Sequence, residues 1–140
     1  MLRNKEFIRM FILYVIAVKK VEFVLPDEEE TTPKQPEEFI PPEFTELLKP
    51  MNVRDGTRVE LRVTFLGKPQ PRIIWYHNGQ EIKPSPDFQI IIDYSKKESV
   101  LIIVEVFPED EGEYTCTARN TYGESITSCR LAVVGEFIWF

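Results

Sequence analysis

The chain has 140 residues, of which 43% are hydrophobic and 29% are charged, as in soluble globular proteins. This length allows one ordinary domain with tails rather than two domains. The net charge is −6, and residues 44–134, with 13 acidic and 11 basic side chains, have no basic stripe of the kind that binds nucleic acid. Two cysteines and one histidine are too few for a disulfide scaffold or for a zinc or haem site, so we expect no metal and no cofactor.

An apolar run occupies residues 11–18, between Arg9 and the pair Lys19 and Lys20. A membrane-spanning helix needs about 20 apolar residues, and this run is much shorter, so we do not expect membrane insertion. A signal peptide would suit the basic start, but no small-x-small cleavage site follows the run. We therefore predict an apolar N-terminal tail over residues 1–18, with an export signal as the alternative.

Proline and glutamate dominate residues 19–43, and apolar residues show no sustained period there. Such a segment cannot bury enough surface to offset the entropy lost on ordering, which predicts a flexible linker that extends readily. The acidic run at residues 27–30 lacks the alternating oxygen ligands and the turn glycine of a calcium loop. We expect this run to be solvated rather than to bind an ion.

Beyond residue 43, short runs rich in Val, Ile, Phe and Tyr alternate with turn residues. Val59, Leu61 and Val63 alternate with polar residues, which predicts a strand with one face in a core. Asn78-Gly79 is typical of a tight hairpin. Turn signals at intervals of about ten residues indicate an all-β sandwich. The predicted strands cover residues 44–48, 51–54, 57–65, 72–77, 80–82, 88–93, 99–104, 112–120 and 124–134.

One tryptophan and one short motif specify the fold further. Trp75 precedes Cys116 by 41 residues, and that cysteine ends the string Asp110-x-Gly112-x-Tyr114-x-Cys116. This combination resembles immunoglobulin domains, in which a buried Trp packs on the link between the two sheets. In those domains a Tyr two residues before the second Cys forms the tyrosine corner.

The details resemble the intermediate type, or I-set, and in particular the domains of titin and related giant sarcomeric and cytoskeletal proteins. The segments that carry this resemblance are residues 41–50, 65–71, 75–79, 108–116 and 118–123. The resemblance implies an I-set β-sandwich over residues 44–134 with a flexible N-terminal extension. It also implies a structural signature formed by Val63, Trp75, Asp110, Gly112, Tyr114 and Cys116.

Val63 stands at the position of the family's first cysteine, so the usual inter-sheet disulfide cannot form. A turn near residues 121–122 would place residue 116 opposite residue 127, which leaves Cys129 diagonal to Cys116 and poorly placed for a bridge. We expect no disulfide and a Cys116 that acts as a small core residue. Reduced thiols and the absence of an Asn-x-Ser/Thr acceptor favour the cytoplasm over secretion or the cell surface.

We expect no catalytic site. His77 lies beside the hairpin turn without a catalytic partner, and the glycines fall singly in turns rather than in a phosphate-binding loop. Asp110 and the two glutamates near it look like paired carboxylates. In the family, however, the Asp supports the corner loop, often by pairing with a basic residue, for which Arg58 and Arg72 are candidates.

The resemblance implies a structural module of a titin-like muscle protein that contributes to passive elasticity and binds proteins in the sarcomere. The implied partners are other immunoglobulin or fibronectin-type domains and sarcomeric or actin-cytoskeletal proteins. A cell-surface adhesion module and a regulatory immunoglobulin domain of a muscle kinase are the alternatives. Residues 135–140 form an apolar C-terminal tail containing Trp139, which either packs on a neighbour or marks where the chain leaves the family pattern.

Overall fold

The computed structural model describes residues 8–10, 13 and 36–135. The chain divides into two compact units, residues 1–37 and 38–140. In the first unit the residues described before position 36 are helical. The remainder of the predicted N-terminal tail, the linker as far as residue 35, and the tail after residue 135 lie outside the described residues. No helix in the described part of the chain is long and apolar enough to cross a bilayer.

The second unit contains nine strands and one 3₁₀ helix within the described residues. The strands are β1 (Ile40–Glu46), β2 (Met51–Arg54), β3 (Val59–Lys68), β4 (Arg72–His77), β5 (Gln80–Glu81), β6 (Phe88–Asp93), β7 (Glu98–Ile103), β8 (Gly112–Asn120) and β9 (Gly123–Val134). The 3₁₀ helix is Pro108–Asp110, between β7 and β8.

These strands form a two-layer β-sandwich. One sheet has four strands in the order β1-β3-β7-β6, and the other has five in the order β2-β9-β8-β4-β5. All neighbouring strands are antiparallel except β2 and β9, which pair in parallel with Met51 opposite Leu131 and Arg54 opposite Val134. The first and last parts of the sandwich are therefore hydrogen-bonded to each other.

The core lies between the two sheets because each sheet turns one face inward. In β3 the inward residues are Val59, Leu61 and Val63, each at most 2% exposed, as the alternation in the sequence predicts. From the opposite sheet, Trp75 and Leu131 are fully buried in the same cluster. Each such side chain contributes about 1.5–3 kcal/mol through the apolar surface it removes from water.

Strand β1 begins at Ile40, four residues before the predicted start, so the sandwich includes residues assigned to the linker on sequence grounds. Proline disfavours a strand interior because it has no N–H to donate, which is why Pro41 and Pro42 read as linker. An edge strand needs only one hydrogen-bonded side, and β1 is the edge of its sheet. The register also shifts between Ile40 and Glu43, a local irregularity that accommodates the two prolines.

Strand β7 is apolar on both faces because it lies inside its sheet. Leu101 and Ile103 enter the core, whereas Val100 points outward and yet is only 5% exposed. Val100 has Arg62 opposite it on β3 and Ile91 opposite it on β6, and these longer side chains shield it. Residues on both faces of β7 are therefore buried, which is why apolar and polar residues alternate only weakly in its sequence.

The signature residues and a candidate binding face

The predicted signature residues Val63, Trp75 and Cys116 meet in the centre of the sandwich, all fully buried. Trp75 lies directly opposite Cys116 in the β4–β8 ladder. Its indole Nε1 donates a hydrogen bond of 3.0 Å to Ser99 Oγ, which reaches across from β7 in the other sheet. Sequence reasoning missed Ser99, whose only signal was a hydroxyl residue at the start of an apolar strand.

Tyr114 forms the expected corner. Its hydroxyl donates to the backbone oxygen of Asp110 at 2.6 Å, which ties β8 to the 3₁₀ helix. The prediction that Asp110 pairs with Arg58 or Arg72 is wrong. The Asp110 carboxylate turns back instead and accepts from the N–H of Phe107 at 2.8 Å, where it caps the 3₁₀ helix. Arg58 pairs with Glu60 on its own strand at 3.2 Å.

Gly112 allows the β4–β5 turn to approach the start of β8. The turn is the tight Asn78-Gly79 hairpin, with φ of +48° and +80°, as predicted. Asn78 Oδ1 accepts from the N–H of Glu113 at 3.0 Å. A Cβ at position 112 would lie 2.4 Å from that Oδ1, and φ at Gly112 is +141°. Only glycine fits both the backbone conformation and the contact.

We expect Gly112→Ala to lower the free energy of unfolding by about 3 kcal/mol, because backbone strain of about 1–3 kcal/mol adds to the clash with Asn78. Gly79→Ala is the matched control, since φ there is +80° but no atom lies within 4 Å of the added Cβ. Urea unfolding of both variants distinguishes the cost of backbone strain, which both variants share, from the cost of the clash with Asn78, which only Gly112→Ala introduces. Equal losses in the two variants would show that the Asn78 contact is unimportant.

The two cysteines are unbonded and buried. Cys116 lies opposite Thr127 and Cys129 lies opposite Tyr114, so the two thiols are diagonal, in the register predicted. Burial raises the pKa of the Cys116 thiol. The pKa of Cys129 is raised by burial and by the nearby Glu113 carboxylate. The pKa of the Tyr114 hydroxyl is raised, first by burial and then by the charges of Asp110 and Cys129.

These raised pKa values predict a loss of stability at alkaline pH. The unfolded chain releases the thiol protons near pH 9 and the tyrosine proton near pH 10, whereas the native state retains them. The stabilisation is therefore complete below pH 9 and is lost above it, by up to about 1.4 kcal/mol per pH unit for each group. Urea titrations from pH 7 to pH 10.5 measure this slope, and Tyr114→Phe should reduce it. A flat profile would contradict the prediction.

His77 contacts the tyrosine corner. Its ring stacks on Tyr114 with centroids 4.4 Å apart, and its Nε2 lies 3.1 Å from the backbone oxygen of Glu111. Both contacts position the hairpin against the corner. Within residues 36–135, and at residues 8–10 and 13, no group of three His, Cys, Asp or Glu side chains is arranged to hold a metal ion.

One exposed surface of the domain is the outer face of the five-stranded sheet. A shallow depression of about 260 Å³ lies there, lined by Arg72, Ile74, Tyr76, Thr117, Arg119 and Glu124. Ile126, which is 61% exposed, lies in one row across this face with Ile74 and Thr117. Strand β5 forms one edge of this sheet, and β6 forms an edge of the other. Exposed sheet faces and edges are the usual sites of protein contact in such sandwiches.

Comparison with known proteins adds a family match. Residues 42–133 match the family described as the immunoglobulin I-set domain. Among curated proteins, myopalladin of Mus musculus is 39% identical over 95 residues, which is 68% of this chain. The smooth-muscle myosin light chain kinase of Gallus gallus is 45% identical over 94 residues, or 66% of this chain.

The chain spans only a small part of these relatives, since the matched regions are 7% of myopalladin and 5% of the kinase. Among solved structures, the titin domains Z1Z2 in complex with telethonin superpose with a TM-score of 0.68 at 39% sequence identity. That match covers 71% of this chain and 50% of the titin chain.

Proposed function

The chain belongs to the immunoglobulin I-set family, and from this we propose that it is a structural module of a titin-like muscle protein that bears tension and binds sarcomeric proteins. The pairing of β2 with β9 carries the proposal. These strands stand near the start and the end of the sandwich and run in parallel over Met51–Arg54 and residues 131–134. Tension on the two ends of the domain pulls them in opposite directions along one axis.

In this geometry the hydrogen bonds between β2 and β9 are loaded in shear and must break together rather than one after another. Next to β2 in the chain, β1 pairs antiparallel with β3 through Phe44 opposite Phe65. Both β1 and β2, the first two strands of the domain, are therefore hydrogen-bonded to other strands of the sandwich. We expect the β2–β9 pair to set the force at which the domain unfolds.

The proposed partners follow from the relatives. One similar structure is titin bound to telethonin, and myopalladin and a myosin light chain kinase are relatives from muscle. By this likeness we propose that the module binds other immunoglobulin or fibronectin-type domains and sarcomeric or actin-cytoskeletal proteins in the cytoplasm. The unbonded Cys116 and Cys129 support a reducing compartment.

Single-molecule pulling of the full chain between reference domains tests the mechanical role. Val53→Pro removes a donor from β2, and we expect it to lower the unfolding force markedly. Ile103→Ala is the thermodynamic control, because Ile103 is fully buried in β7 and its truncation costs about 2–5 kcal/mol while the hydrogen-bonded β2–β9 pair keeps its own residues. Ile103→Ala should change the unfolding force much less than Val53→Pro does. A wild-type unfolding force no higher than that of a non-mechanical domain of equal stability would refute the proposal.

A second candidate is a regulatory module attached to a kinase, favoured by the 45% identity to the myosin light chain kinase. The coding sequence on either side of residues 1–140 separates the two candidates. Tandem domains with the same Trp-to-Cys spacing would support the titin-like chain, and a kinase catalytic domain would support the second candidate.

A further inference from the structure

The outer face of the five-stranded sheet contains two like charges opposite each other, and only one of them has an ion-pair partner. Arg72 on β4 lies directly opposite Arg119 on β8, and Arg119 lies directly opposite Glu124 on β9. Arg119 forms an ion pair with Glu124, in which Arg119 Nη2 lies 2.9 Å from Glu124 Oε2. Arg72 has no ion pair and no hydrogen bond through its side chain among the residues described. Like charges directly opposite each other destabilise a sheet, so this row costs stability as it stands.

The same depression brings other unpaired donors together. The Thr117 hydroxyl and the Tyr76 phenol, which line it with Arg72, have no hydrogen-bond partner within the described part of the protein. Elsewhere on this face, hydroxyls pair with each other, as Thr115 and Ser128 do at 2.8 Å. Three donors thus surround one depression, whose single carboxylate, that of Glu124, is held by Arg119.

The side chains of this face indicate the chemistry of the ligand that would complement them. A guanidinium binds a carboxylate through two parallel hydrogen bonds, and such charge-assisted bonds are about twice as strong as neutral ones. Ile74 and Ile126 lie on either side of Thr117 in the row next to the arginines, and they offer apolar surface for a side chain beside the acid. A ligand that complements both features carries carboxylates flanking an apolar residue.

We propose that this face, centred on Arg72, docks an acidic segment of a protein partner, with a partner carboxylate on Arg72 and an apolar side chain over Ile74 and Ile126. Bound acid would neutralise the Arg72–Arg119 repulsion, which explains why a cation without a partner stands at this position. The inference rests on the proposed binding function and names the chemistry of one class of partner.

The test is an NMR titration of the full chain with a short peptide, blocked at both ends, that has glutamates on either side of a single leucine. We expect amide shifts confined to β4, β8 and the first half of β9. Arg72→Glu should weaken binding about tenfold or more, because it removes the cation and adds repulsion. The peptide with glutamine in place of glutamate should bind much more weakly.

Arg130→Glu is the matched control. It makes the same change in net charge on the outer face of the same sheet, but at the far end, where Arg130 lies opposite Glu113. Equal weakening by the two variants would indicate non-specific attraction and overturn the proposal. So would shifts spread over the whole domain, or equal binding of the glutamine peptide.

Stability provides a second readout. Arg72→Glu places a carboxylate opposite Arg119, so we expect the midpoint of thermal unfolding to rise while peptide binding falls. A merely structural arginine would give a lower midpoint instead, which would contradict the proposal. The pulling experiment depends on β2 and β9 and not on Arg72. Failure of peptide binding would therefore leave the mechanical proposal unaffected. A low unfolding force would likewise leave the proposed peptide site unaffected.

Discussion

Trp75→Ala is expected to lower the free energy of unfolding by about 3–5 kcal/mol, a large part of the 5–15 kcal/mol typical of a domain. The indole is fully buried between the sheets, and truncation leaves a cavity there. It also removes the hydrogen bond that links Trp75 to Ser99 in the other sheet. We expect the variant to be partly or wholly unfolded at 37 °C, measured by circular dichroism and urea unfolding.

Two further variants separate cavity from hydrogen bond. Trp75→Phe keeps an aromatic ring but loses the Nε1 donor, and we expect a smaller loss, on the order of 1–2 kcal/mol. Ile126→Ala removes a large side chain that is 61% exposed, and we expect a change within about 0.5 kcal/mol. If Trp75→Ala costs no more than Ile126→Ala, the central role of the tryptophan is refuted.

The second large effect has the opposite sign. Val63→Cys should allow the inter-sheet disulfide with Cys116 and raise the free energy of unfolding by about 4 kcal/mol, the chain-entropy value for a loop of about 50 residues. Both side chains are fully buried in one cluster, and β3 and β8 face each other across the sandwich. The bridge is detected as a mass lower by two hydrogen atoms and as the loss of one pair of free thiols after denaturation.

The control for this variant is Val63→Cys combined with Cys116→Ala, which cannot form the bridge. Reductant should abolish the gain of the single variant and leave the double variant unchanged. The reduced single variant should be slightly less stable than the wild type, because Cys fills less of the core than Val. A bridge that forms without any gain in stability would indicate that it strains the native sheets.

Much of this sandwich could be predicted because its determinants are local. The alternation of Val59, Leu61 and Val63 gives the inward face of β3, and Asn78-Gly79 gives the β4–β5 turn. The position of the β8–β9 turn is enough to place residue 116 opposite residue 127. Each of these inferences needs only neighbouring residues and the two-residue period of a strand.

The errors concern the partners of particular strands and side chains. The start of β1 was missed because two prolines argue against a strand unless the strand is known to be an edge. The partner of Asp110 was missed because its carboxylate folds back to a backbone N–H three residues away rather than crossing to a strand. That Arg72 lies opposite Arg119 follows only from the β4–β8 register, so the sequence analysis considered Arg72 only as a partner for Asp110.

The parallel pairing of β2 with β9 has a further consequence during synthesis. It joins residues that are roughly 80 positions apart, since Met51 lies opposite Leu131. A nascent chain cannot complete this sheet until residue 134 has left the ribosome tunnel, and until then the edge of β9 that receives β2 does not exist. Contacts of such large sequence separation slow folding. The β2 segment, near the start of the sandwich, therefore has no parallel partner until almost the whole domain has been synthesised.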